Sequence, residues 1–81
     1  KQRGGLCYKF VSPSNPGVPD RIIITPDGKI IFVELKTEIG RLSKLQTWQR
    51  SEMQKRGADV RVAYGWPAVK ALVEEVIPNG I

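Results

Sequence analysis

Apolar positions in the first half of this chain come in short runs broken by Gly, Pro, Ser and Asn, the spacing of strands and turns. Residues 6–11, Leu-Cys-Tyr-Lys-Phe-Val, predict a first strand, and residues 12–19 a Ser/Pro/Asn/Gly loop. Residues 20–25 and 29–36 predict two more strands around Pro26-Asp27-Gly28. A polar connector, residues 37–41, leads to Ser43, where the period changes. Ser43 with Gln46 three residues on is a capping-box pattern, and Gly57 is a C-terminal stop, so a helix is expected to about Arg56. Its apolar stripe is narrow: Leu45, Trp48 and Met53, with Glu52 among them, and Trp48 is read as core. Residues 60–64 predict a fourth strand. Pro67 suits the first turn of a second helix, whose inner face is Ala68, Val69, Ala71, Leu72 and Val76, ending at Pro78-Asn79-Gly80. The order βββαβα predicts an α/β fold: a mixed four-stranded sheet with flanking helices, the first helix crossing over between parallel strands.

The turn decides which residues meet. Thr25-Pro26-Asp27-Gly28-Lys29 fits a three-residue loop, a type I turn closed by a left-handed Gly, which pairs Thr25 with Lys29. Counting back along both strands sets Asp20 opposite Glu34, on one face, with Cβ atoms roughly 4.5–5.5 Å apart. Glu34 and Lys36 also share that face, and Leu35 points away. A two-residue Asp27-Gly28 turn would instead oppose Asp20 to Leu35. Two facing carboxylates repel unless a cation lies between them.

Composition narrows the chemistry. The chain has 81 residues, enough for one domain (residues 1–81) whose isolated core is marginal. The net charge of +5 is spread along the sequence and favours an anionic partner such as nucleic acid. With no His, imidazole bases and imidazole metal ligands are excluded. The lone Cys7 excludes an internal disulfide and a Cys-rich zinc site, and it is read as a small buried residue in a reducing, intracellular compartment. No apolar run approaches the ~20 residues of a membrane span. Oxygen ligands remain, and these suit Mg²⁺ or Mn²⁺.

Asp20, Glu34 and Lys36 are therefore read as an acidic pair plus lysine of the kind phosphodiester hydrolysis can use. The Leu35 carbonyl, between the two charged side chains, is a candidate further metal ligand, and Lys36 would orient water or stabilise developing charge. Glu-x-Lys alone is common and describes many solvated strand ends; Gly-x-Pro-Asp at the matching distance is what makes the combination informative. Gln46 has two compatible readings, a capping residue and a site residue reaching toward the metal and its water. Arg41 and Lys44 sit by the helix start as phosphate candidates or as a plain basic edge. Tyr8 and Lys9 alternate on the first strand, so one of them faces the site, and Lys9 is taken as the phosphate contact.

Gly17-Val18-Pro19-Asp20, Val33-Glu34-Leu35-Lys36 and Leu42-Ser43-Lys44-Leu45-Gln46, in this order, resemble the signature of the VRR-NUC domain, a branch of the PD-(D/E)XK nuclease superfamily. Gly4-Gly5 ahead of Tyr8-Lys9 is similar to the family's lead-in; the family usually has an N-terminal helix ahead of that segment, often carrying a further acid, whereas here Lys1-Gln2-Arg3 alone precede Gly4. The resemblance implies a small restriction-endonuclease-like core and a Mg²⁺- or Mn²⁺-dependent DNA endonuclease with catalytic Asp20, Glu34, Lys36 and Gln46. Short members, many from bacteriophages, resemble structure-specific enzymes that cut branched or four-way junction DNA as homodimers. The surface left for such an interface is expected on Val69, Val73 and Ile77. The alternative is a catalytically silent nucleic-acid-binding module with the nuclease fold.

Overall fold

The computed structural model describes residues 4–78. Its elements run β1 (Leu6–Lys9), β2 (Arg21–Ile24), β3 (Ile30–Lys36), α1 (Lys44–Lys55), β4 (Asp59–Tyr64) and α2 (Gly65–Val76). The strands form one mixed sheet in sequence order, antiparallel from β1 to β3, with β4 parallel to β3. This is the predicted α/β, βββαβα architecture, and α1 is the crossover between the parallel strands.

The hairpin register follows from its turn. Thr25 donates its N–H to the Lys29 carbonyl (2.9 Å), Gly28 donates to the Thr25 carbonyl (2.9 Å), and Gly28 has φ +88°. That is the bulged three-residue loop: the left-handed position falls on the one residue without a Cβ. Ile24 then pairs with Ile30 and Arg21 with Val33, so the next pair is Asp20 with Glu34.

Alternation divides the sheet. Ile23, Ile31, Val33 and Ala63 point to one face, where they join Leu72 and Ile77 in the buried core, with Leu35, Ala68, Val69 and Val76 packed against it. α2 covers this face. Val60 and Glu34 belong to the other face and are buried there, beneath α1. The β1 end of that second face is open: Leu6, Tyr8 and Ile30 are each about half exposed.

Four expectations are corrected by this layering. Cys7 is exposed, because β1 is an edge strand with both faces accessible. Trp48 is 56% exposed: α1 has no buried residue, and its capped first turn is turned toward the sheet instead. Ala71 is exposed, one position off the buried line through Leu72. Ile77 is only 1% exposed and Val69 packs on the core, so neither is free for a subunit interface.

Candidate active site

Pro19 creates the local break on which the site is built. The ladder alternation that starts at Thr25 and Lys29 sets Pro19 opposite Leu35 as the next hydrogen-bonding pair. Proline has no N–H, so the Leu35 carbonyl receives no ladder bond from it. The Leu35 N–H is satisfied instead by the Asp20 carboxylate, with Oδ1 accepting at 3.1 Å. That bond turns Asp20 toward the end of β3 and holds it there.

Gly17 brings the helix to the strand. It has φ +89°, and a Cβ built on it would lie 2.7 Å from Leu45 Cγ and 3.1 Å from the Leu45 carbonyl. The Gly17 backbone therefore packs directly against the first turn of α1, and Gln49 Nε2 donates to the Pro16 carbonyl at 3.2 Å one turn further on. The turn so placed carries Gln46. Its Oε1 accepts from the Ser43 N–H (2.9 Å), its own N–H donates to Ser43 Oγ (3.0 Å), and its Nε2 donates to Glu34 Oε2 (3.1 Å). The capping reading of Gln46 holds, and because the box uses the amide oxygen, the amide nitrogen is left to reach Glu34.

Glu34 is the centre of the arrangement. It is 7% exposed, and Lys36 Nζ lies 3.8 Å from its Oε2. Burial pushes its carboxyl above the ordinary glutamate range, and the neighbouring Asp20 charge pushes it further; Lys36 opposes both. Asp20, Glu34, Lys36 and Gln46 are thus together at the C-terminal end of β3, with the free Leu35 carbonyl between the carboxylates. Arg41 and Lys44 are exposed on the connector and at the start of α1, beside this group. Lys9 is not: it pairs with Arg21, which pairs with Val33, so its side chain belongs to the face opposite Glu34. Of Tyr8 and Lys9, it is Tyr8 that lies on the site face. Arg21 was not singled out from sequence because its position alternates away from the site. Its guanidinium nevertheless returns to within 3.9 Å of Asp20 Oδ2 and donates to the Asp20 carbonyl at 2.9 Å. The basic residue directly after the aspartate was the available signal.

The donor set is all oxygen: two carboxylates and one main-chain carbonyl. No cluster of three His, Cys, Asp or Glu side chains suited to a metal occurs among the described residues. A hard divalent cation fits such a set, since Mg²⁺ commonly keeps several positions for water and phosphate, and a cation between Asp20 and Glu34 would relieve the repulsion felt by Glu34.

The family model of the VRR-NUC domain matches residues 8–67, a stretch that spans all three motifs. A solved structure described as a VRR_NUC domain superposes with a TM-score of 0.79 at 36% identity, covering 89% of this chain and 78% of that one. "Putative nuclease p44" of Acyrthosiphon pisum secondary endosymbiont phage 1 is 67% identical over 33 residues. That match takes in 41% of this chain and 36% of the phage protein, so it spans about a third of its relative.

Proposed function

The chain belongs to the VRR-NUC domain family of nucleases, and from that premise we propose that it is a metal-dependent DNA endonuclease acting on branched or four-way junction DNA. The observation that carries the reading is the convergence of Asp20, Glu34, Lys36 and Gln46 on one face at the end of β3.

Asp20, Glu34 and the Leu35 carbonyl would hold Mg²⁺ or Mn²⁺. Bound there, the cation supplies Lewis-acid polarisation of a phosphate and offsets the charge that develops on it. The protein's own groups do the rest. The Leu35 N–H fixes the Asp20 carboxylate, and Gln46 fixes Glu34, so neither has to reorganise when the substrate arrives. Lys36, 3.8 Å from Glu34 as an ion pair, can turn its ammonium N–H groups to a phosphate oxygen or an attacking water. Arg41 and Lys44 take up flanking phosphates, and in this role their exposure is an advantage.

The same reading takes the active unit to be a homodimer. The open sheet face with Leu6, Tyr8 and Ile30 supplies the apolar surface for a second copy, in place of the buried Ile77. Sedimentation equilibrium of the protein and of Leu6→Glu tests this: a monomer in both would remove the dimer. A DNA substrate supports a site of action inside the host cell. The two-carboxylate site also supports the second reading, a nucleic-acid-binding module without activity. One experiment separates the two. Duplex, flapped and four-way junction DNA are incubated with Mg²⁺, with Mn²⁺ and with chelator. Metal-dependent cleavage strongest on branched DNA is expected. Tight binding with no cleavage in either metal would leave the silent module.

A further inference from the structure

Beside the catalytic strand the molecule exposes large side chains that the reaction does not use. Ile39 is 91% exposed, Trp66 71% and Tyr64 41%. Single exposed hydrophobics are ordinary, but these three lie at one end of the sheet. Tyr64 is the register partner of Lys36 on the neighbouring strand, roughly 4.8 Å away across the ladder. The connector that carries Ile39 is pinned against the start of α2. Gly40 closes its turn by donating to the Thr37 carbonyl (3.0 Å), and the Glu38 side chain lies against the bare Cα of Gly65 (φ +80°), where no side chain would fit. Gly65 joins Tyr64 to Trp66. Glu38, Ile39, Gly40, Arg41, Leu42 and Tyr64 together line an open cleft of about 640 Å³.

We propose that this cleft, with Tyr64 as its stacking wall, seats an unpaired nucleobase of the DNA strand next to the scissile phosphate. The inference rests on the nuclease reading and adds what makes the enzyme choose branched substrates. Aromatic and guanidinium planes stack on any base, but only where the base face is not already covered by its neighbours in a duplex. Tyr64 supplies such a plane within the cleft. Glu38 on its lining repels phosphate and can accept from the N–H groups of a base, so the cleft suits the neutral part of a nucleotide. The phosphates are left to Arg41, whose charge sits on the lining, and to Lys44, which is outside the lining and exposed at the start of α1. A nucleotide splayed out at a flap or junction would put its base in the cleft and its phosphate near Lys36. A fully paired strand has no base to offer.

The test uses fluorescence and binding without metal. The chain has two tryptophans, so Trp48→Phe leaves Trp66 as the sole emitter. Titrating this variant in chelator with oligothymidylate should quench or shift Trp66 emission. Flapped duplex should bind Tyr64→Ala about tenfold more weakly than the parent, blunt duplex should bind both alike within about twofold, and Tyr64→Phe should restore the parent's preference. Emission that does not move while DNA binds overturns the proposal, as does an equal loss on flapped and blunt DNA. The binding arm contains no metal, so it judges the cleft alone. Absence of cleavage by the intact protein with Mg²⁺ and Mn²⁺ would overturn the nuclease reading and leave the cleft result standing.

Discussion

At the scale of single residues, Glu34 carries a conflict. It is buried beside another carboxylate, and its proton is held more tightly in the folded chain than the ordinary value of 4.5. A carboxyl raised in this way adds stability while protonated; that contribution is full below 4.5 and is lost as pH rises through the folded value. Ionised Glu34 is therefore a cost to the fold near neutrality. Glu34→Gln keeps an oxygen to accept from Gln46 and removes the charge. Thermal melts should find it more stable than the parent near neutral pH and little different in acid, while cleavage is lost. A variant less stable than the parent at every pH would mean that Glu34 serves the fold. Lys36→Ala should lower cleavage by about 100-fold or more, the usual effect of losing one stabilising donor, with Mn²⁺ still bound. Calorimetric titration distinguishes it from Asp20→Ala and Glu34→Ala, which should lose both binding and cleavage. If Glu34→Ala binds Mn²⁺ like the parent, the assigned ligand is wrong.

At the scale of elements, the hairpin and the cap of α1 were readable from sequence because each is a local code. Pro-Asp-Gly allows the bulged turn, that turn fixes the register, and the register puts Asp20 opposite Glu34. Ser43 and Gln46 spell their own hydrogen bonds. What was hidden is coverage. Alternation tells which residues share a face, but not which helix lies over that face or where its shadow ends. Cys7 and Trp48 were misplaced for that reason: β1 is uncovered, and α1 touches the sheet through its first turn and its edge; Lys9 was misplaced because the long loop after β1 leaves its register open, and the observed pairing sets it on the far face. The glycines give a measure of what local codes leave out. Gly28 and Gly17 have nearly the same φ, +88° and +89°, yet a Cβ on Gly28 meets nothing within 4 Å and one on Gly17 meets Leu45. Gly28→Ala should therefore cost only the left-handed backbone term, about 1 kcal/mol. Gly17→Ala should cost more, and should also cut activity by pushing α1 and Gln46 away from Glu34. Denaturant unfolding and cleavage assays of the two variants check this; equal destabilisation would mean that Gly17 and Leu45 are not in contact. Ser43→Ala should cost about 1 kcal/mol as a lost cap and lower activity through the same Gln46.

At the scale of the whole molecule, the charge of +5 is not evenly useful. The site end collects Lys36, Arg41 and Lys44 around the carboxylates, whereas Lys9 projects from the other face of the sheet. The molecule is 21 Å across its shortest axis, and the Debye length near physiological salt is about 8 Å, so a cation on the far face is screened from DNA bound at the site. Each lysine that truly neutralises a phosphate releases about one counterion, and log affinity then falls with log salt by about one unit per contact. The register thus becomes a binding prediction. With catalysis stopped by chelator, the salt slope for junction DNA should flatten by about one unit in Lys44→Ala and stay at the parent value in Lys9→Ala. A flatter slope for Lys9→Ala would require DNA to wrap around β1 onto the α2 side of the sheet. An unchanged slope for Lys44→Ala would exclude the start of α1 from the footprint and move the phosphate path toward Arg41 and the aromatic cleft.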